Sequence, residues 1–175
     1  MILQASDKTD QKNSKKDYVT DVDLLGKERI CLVFGLGDEG FGLDVNVVRE
    51  IVRVPPFITR VPNASHYILG VINLRGTIVP VFDMELKLGV PSTPVTEEAR
   101  IIIITLNEVT FGIIVNTVRE VITIYESQIE SANQEFAVGE RKYVLGIAKP
   151  TDGRLIVLLD IYTLFDLEQI LAEEL

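Results

Sequence analysis

The sequence predicts an all-β protein: two small five-stranded β-barrels side by side, with a flexible N-terminal tail before them and a C-terminal helix after them. Three observations predict this. Short runs rich in valine and isoleucine are separated by glycine, proline or asparagine turns, the pattern of small antiparallel sheets and barrels. A ten-residue motif recurs seventy residues along the chain, so a structural unit is present twice. The two ends differ from the body, one polar and the other carrying an apolar stripe at helical spacing.

Residues 1–27 hold five lysines and five aspartates with few large apolar groups. Such a stretch cannot offset its ordering entropy by burial, so it reads as a tail. Strands follow near 29–36, 41–45, 48–54, 68–73 and 78–83, and again near 100–106, 110–115, 118–124, 144–148 and 154–159. The repeat joins the two sets. Phe41-Gly42-Leu43-Asp44-Val45-Asn46-Val47-Val48-Arg49-Glu50 realigns with Phe111-Gly112-Ile113-Ile114-Val115-Asn116-Thr117-Val118-Arg119-Glu120, identical at seven of ten positions. Tyr67 to Val71 returns as Tyr143 to Ile147, and Val81-Phe82-Asp83 as Leu158-Leu159-Asp160, the offset growing from 70 to 76 and 77. That drift fits a longer polar connection, Glu126 to Arg141, in the second copy. The junction falls near Val90 to Pro94, which divides the chain into lobes at 28–94 and 95–175.

Ile101-Ile102-Ile103-Ile104 shows no alternation, so its strand is expected to be covered on both faces, as it would be if the lobes pack together. A helix is expected from about Ile161 to Glu174, with Leu164, Phe165, Leu167, Ile170, Leu171 and Leu175 on one stripe. Gly35-Leu36-Gly37-Asp38-Glu39-Gly40 fits the spacing of a dinucleotide-binding loop. It leads into Phe41 to Val45, which reads as a strand, so no helix N-terminus is available for a pyrophosphate. A hairpin turn is the better reading, and the second copy makes the same turn with Leu106-Asn107-Glu108-Val109.

Composition narrows function. Of 175 residues, 26 are acidic and 17 basic, a formal charge of −9. General nucleic-acid binding wants the opposite sign, and with no tryptophan the stacking platforms of single-strand binders are scarce. Charge is uneven: residues 29–94 hold six of each sign, and 95–175 hold six basic against fourteen acidic. One cysteine and one histidine cannot make a Cys/His zinc site. Cys31 reads as a small buried hydrophobe and His66 as a solvated turn residue. No nucleophilic triad or helix-fixed carboxylate pair is evident, so no catalytic residue, metal or cofactor is expected. The absence of an apolar span of about 20 residues points to a soluble, cytoplasmic protein without direct membrane insertion. Two function classes remain, an adaptor that joins signalling proteins and an acidic barrel that binds a small ligand or oligosaccharide.

Gly70-Val71-Ile72-Asn73-Leu74-Arg75-Gly76-Thr77-Ile78-Val79-Pro80-Val81-Phe82-Asp83 makes a more specific statement, reinforced by Phe41 to Glu50, Phe111 to Glu120 and Thr151 to Asp160. From Glu28 to the C-terminus the chain resembles the CheW family of chemotaxis coupling proteins. The resemblance implies one domain over 28–175 with two SH3-like barrels. It also implies a scaffold joining the cytoplasmic tips of methyl-accepting receptors to the regulatory domain of the histidine kinase CheA. Two small barrels leave a crevice in which a helical receptor hairpin could lay an apolar stripe. By resemblance Val45, Val48, Glu50, Ile51 and Val121 line it, with Asn73, Leu74 and Arg75 as further receptor contacts. The other reading of residues such as Val45 is plain alternation between core and solvent, and of Arg75 a solvated hairpin residue. The second-copy turn, Lys149 to Gly153, keeps the glycine without the arginine, so the turn itself is expected not to need one. Ile58, Arg60 and Phe136 are the candidates for the kinase interface, a buried staple being the other reading of Phe136.

Overall fold

The expected strands are present, but the two sheets are assembled across the repeats. The computed structural model describes residues 25–131 and 141–166. In chain order it runs β1 (Glu28–Leu36), β2 (Glu39–Asp44), β3 (Val48–Arg53), β4 (Ile68–Leu74), β5 (Thr77–Asp83), α1 (Met84–Leu88), β6 (Arg100–Leu106), β7 (Val109–Val115), β8 (Thr117–Tyr125), β9 (Ile129–Glu130), β10 (Val144–Ala148), β11 (Ile156–Leu159) and α2 (Ile161–Leu164). One sheet has the order β3-β6-β7-β5-β4 and the other β8-β1-β2-β11-β10-β9. We call them the first and second barrel.

Contiguous lobes at 28–94 and 95–175 are therefore corrected: each barrel takes strands from both copies of the repeat. The repeated motif is the reason. In its first copy β2 lies in the second barrel, a short 3-10 turn at Val45–Val47 carries the chain across, and β3 enters the first barrel. In its second copy β7 lies in the first barrel, Asn116 makes the crossing, and β8 enters the second. Two parallel pairings close the exchange, Val81 beside Gly112 and Leu158 beside Gly42. These four positions are two pairs of repeat equivalents, so an internal two-fold relates the barrels.

Three apolar clusters follow from the pleat. Ile101 and Ile103 point into the first barrel with Ile72, Val79, Val81 and Ile114. Ile102 and Ile104 face the other way, into a core between the barrels that includes Phe34, Phe41, Phe82, Phe111 and Phe165. All four isoleucines are fully buried, as an unalternating strand covered on both faces must be. Cys31, Val33, Ile124, Ala148, Ile156 and Leu158 fill the second barrel.

The turns obey local chemistry. Gly37 and Asp38 link β1 to β2, with Gly35 paired opposite Gly40, which confirms a hairpin at the glycine-rich motif. The motif also leaves room for a side chain: a Cβ at Gly35 would stand 2.9 Å from the Arg119 guanidinium. Asn107-Glu108 and Arg75-Gly76 are two-residue turns with both residues at positive φ, the geometry whose twist matches the flanking strands. α1 was not foreseen. Asp83 caps it by accepting from the Leu86 amide, and Gly89 ends it at φ 68°. Its repeat counterpart is α2, capped by Asp160 through the Tyr162 and Thr163 amides. Of the helix expected from about Ile161 to Glu174, the described residues form one turn, Ile161–Leu164, which ends at Phe165. Phe165 adopts extended backbone and its ring sits 5.0 Å from Phe82 and 4.6 Å from Phe111. Leu167, Ile170, Leu171 and Leu175 lie outside the described residues, as does nearly all of the tail.

Candidate protein-docking site

β3 and β8 are the outer strands of their sheets, and they carry equivalent residues: Arg49, Glu50 and Ile51 on one, Arg119, Glu120 and Val121 on the other. A bulge between Val48 and Glu50 reverses the faces of β3. Val48 lies opposite Ile104 and packs, half-buried, on the core between the barrels. Glu50 lies opposite Ile103 and so turns toward the first barrel. Ile51 returns to the face of Ile102, and Val121, opposite Leu32, takes the matching face on β8. Both stay exposed at the sheet margins, at 42% and 55%. Equivalent aliphatics are thus exposed on the two edge strands, and Ile51 lies in a groove between the barrels.

Ile51 forms a groove there with Glu98, Arg100, Thr117 and Val118. The groove continues over Glu98 and Arg100 to Arg53, Val54 and Thr96. Thr117, Val118, Glu98 and Arg100 were not among the expected site residues. The repeat could have pointed to Val118, which is the counterpart of Val48. Val45 lies apart from this groove, in a depression with Lys27 to Ile30, Asp44 and Asn46.

The structure brings Glu50 and Arg75 together. Arg75 Nη1 donates to Glu50 Oε2 at 3.0 Å, with 73% of the arginine side chain exposed against 23% of the glutamate. Glu50 Oε1 is buried without a hydrogen bond. The neighbours of Arg75 have other work. Asn73 is exposed, but its Oδ1 accepts from the Gly76 amide at 2.8 Å and ties the turn, and Leu74 packs into the first barrel.

The second barrel repeats the ion pair with a displaced arginine. Arg154, one residue beyond Gly153, joins Glu120 and Asp152. The turn Lys149 to Gly153 itself holds no arginine, but the residue after it keeps the pairing with the edge-strand glutamate, a contact the sequence reading did not anticipate. The Arg154 amide and guanidinium both donate to Asp152, holding that carboxyl below the usual carboxylate range.

Of the kinase candidates, Ile58 is half-buried against the first-barrel cluster and, with Thr59, covers Gly70, where a Cβ would meet Thr59 O at 2.3 Å. Arg60 is exposed and Phe136 lies outside the described residues. Phe57, exposed between Pro56 and Ile58, was not anticipated. Cys31 is buried and its thiol is pushed up, by burial first and the Asp44 charge second. Among the described residues no group of three or more His, Cys, Asp or Glu is placed to hold a metal ion, and no helix is long and apolar enough to cross a membrane.

Comparison with known proteins covers most of this architecture. The CheW-like domain family matches residues 30–169. The chemotaxis protein CheW of Bacillus subtilis (strain 168) is 36% identical over 137 residues, which is 78% of this chain and 86% of that protein. CheW of Klebsiella aerogenes is 34% identical over 139 residues, 79% of this chain and 82% of the relative. The crystal structure of the scaffolding protein TtCheW from Thermoanaerobacter tengcongensis superposes with a TM-score of 0.71 at 35% identity, covering 80% of this chain and 89% of that one. These relatives are named as chemotaxis and scaffolding proteins rather than enzymes. With the exchanged barrels matched over nearly their whole extent, the chain belongs to the CheW-like family.

Proposed function

We infer that the protein is a non-enzymatic adaptor that couples methyl-accepting chemotaxis receptors to the histidine kinase CheA, working in the cytoplasm and recruited to receptor arrays at the membrane. The observation that carries this reading is the groove between the barrels lined by Ile51, Thr117 and Val118, with the equivalent Val121 exposed on the other edge strand, in a chain of the CheW-like family. An apolar stripe of a receptor helical hairpin fits such a groove, which has aliphatic margins and charged residues along its course. In this reading Ile51 and Val121 make the apolar contacts, Val45 and Val48 support the crossing from which β3 departs, and Arg75 lies exposed beside them on its Glu50 anchor. Asn73 and Leu74 act through the turn that presents Arg75. The regulatory domain of CheA takes a separate surface, with Arg60 and the neighbouring Phe57 on it, Ile58 supporting it from within, and Phe136 as a further contact. A small-ligand barrel is the weaker reading, since among the described residues apolar side chains pack both barrel interiors, where a ligand site would concentrate polar groups.

The test is site-specific. Ile51→Asp combined with Val121→Asp places a charge on each edge strand and is expected to lower affinity for a receptor-tip fragment by about tenfold or more, with affinity for the CheA regulatory domain kept. Arg75→Ala is expected to cost about 2 kcal/mol of receptor binding, roughly thirtyfold. Unchanged receptor affinity in the double variant contradicts the proposal.

A further inference from the structure

We propose that Glu85 and Thr93 are positioning residues: their clasp fixes the linker between β5–α1 and β6, and through it the Thr96–Arg100 wall of the groove between the barrels. The inference rests on the adaptor reading for its functional consequence and on geometry alone for the clasp.

Among the described residues Glu85 is the one charged side chain that is buried, at 5% exposure. A carboxylate in that position is costly unless its oxygens are bonded. Both are, and to one residue. Thr93 donates its backbone N–H to Oε2 at 2.9 Å and its hydroxyl to Oε1 at 2.6 Å. Glu85 stands on a rigid platform, because Met84 and Leu88 on either side of it are locked in the core between the barrels. Its own carbonyl takes the Val90 amide at 3.0 Å, so the linker is held from its first residues.

Thr93 reaches both barrels. It hangs from α1, which follows the last strand of the first-barrel hairpin, and its methyl lies beside the β1–β2 turn of the second barrel, 3.7 Å from where a Cβ on Gly37 would be. Three residues on, the linker becomes the groove wall. The Ala99 amide donates to Thr96 O at 3.1 Å, and Arg100 Nη1 donates to the carbonyls of Glu97 at 2.8 Å and Ala99 at 2.7 Å. Glu98 and Arg100 then line the groove opposite Thr117 and Val118. The wall is pinned at two points, by Arg100 at its end and by the Glu85–Thr93 clasp ahead of it. An exposed connection that only joins two strands needs no buried carboxylate. One whose path shapes a docking groove does, because charge-assisted bonds specify geometry more narrowly than apolar packing.

The experiment compares the wild-type protein with Thr93→Val, which keeps the shape and deletes the hydroxyl, and Thr93→Ser, which restores it. Amide hydrogen exchange of the free proteins and affinity for a receptor-tip fragment and for the CheA regulatory domain are measured on each. In Thr93→Val we expect exchange over residues 93–100 to rise about tenfold while the barrel strands keep their protection, and receptor affinity to fall about tenfold with kinase affinity unchanged. Thr93→Ser is expected to match wild type in all three. Receptor affinity unchanged in Thr93→Val overturns the proposal, as does a uniform rise in exchange across both barrels or an equal loss of both partners. If the wild-type protein does not bind the receptor fragment, the adaptor reading fails; the exchange pattern then decides the clasp alone, with unchanged exchange over 93–100 overturning it.

Discussion

The two barrels place a glutamate at the same point of an edge strand and pair each with an arginine from the opposite hairpin, yet they use the arginine differently. In the second barrel Arg154 is engaged at three nitrogens: Nη1 meets Glu120 while Nε and Nη2 meet Asp152. In the first, Arg75 gives one nitrogen to Glu50 and keeps most of its side chain in solvent. A guanidinium has five donors in a planar fork, so the arrangement in the first barrel leaves a largely free fork at the surface, held at one nitrogen, and that in the second engages most of it. Duplication has supplied one frame, and the difference between the copies is what the proposed receptor contact at Arg75 rests on.

The largest expected effect tests whether the barrels share a core. Phe82 is buried between them, 5.6 Å from Phe111 and 5.0 Å from Phe165. Phe82→Ala is expected to cost about 3–5 kcal/mol and to lower one cooperative transition. Two separate thermal transitions, with only one displaced, contradict a shared core. A second comparison sets Gly70 against its repeat equivalent Gly146. At Gly70, φ is +152° and a Cβ would lie 2.3 Å from a backbone oxygen, whereas at Gly146 the nearest approach is 2.7 Å. Gly70→Ala is expected to cost about 3 kcal/mol or more and Gly146→Ala less, as chemical denaturation of both variants will show.

The arginines sharpen the opening contrast. Removing Arg75 leaves Glu50, mostly buried and with one oxygen already unbonded, without its counter-charge; Arg75→Ala should cost about 1 kcal/mol. Arg154→Ala leaves Glu120 and Asp152 well solvated, more exposed than Glu50, and is expected to cost less. Equal stability losses would remove the distinction. The smallest effect is a pH dependence. Asp152 has a depressed pKa in the fold, so its contribution is present above the ordinary carboxylate range and is lost as pH falls through the lowered value. Carbon-detected titration should place the Asp152 midpoint low in wild type and return it to the usual range in Arg154→Ala.

Strand positions were legible because β-branched runs and turn residues act locally, and Arg100 to Leu106 emerged with its expected limits. The partition of strands between sheets was not. The same Phe-Gly run that signals a repeat also carries the crossing between sheets, and nothing in residues 41–50 or 111–120 announces that the chain changes barrels. Helix α1 was hidden by its length, since five residues cannot show a helical period, although Asp83 and Gly89 supplied both caps. β9 and the Thr59–Val71 bridge were missed because each rests on a single neighbouring pairing. At the site, Glu50 and Arg75 were both named, but their contact spans 25 positions and belongs to barrel closure. Val48, Leu74 and Ile58 were named as contacts and turn out to pack inward, because β-bulges and loop crossings reset the alternation that a linear reading assumes.

The central claim is that this chain holds a receptor and a kinase at the same time through different surfaces. Sedimentation velocity of a labelled receptor-tip fragment, mixed with the CheA regulatory domain in the presence and absence of the protein, tests it most directly. The account predicts a three-component species that forms only when the protein is added and that Ile51→Asp/Val121→Asp abolishes while the protein–kinase pair survives. Mutually exclusive binding, in which added kinase domain displaces the receptor fragment, would contradict it.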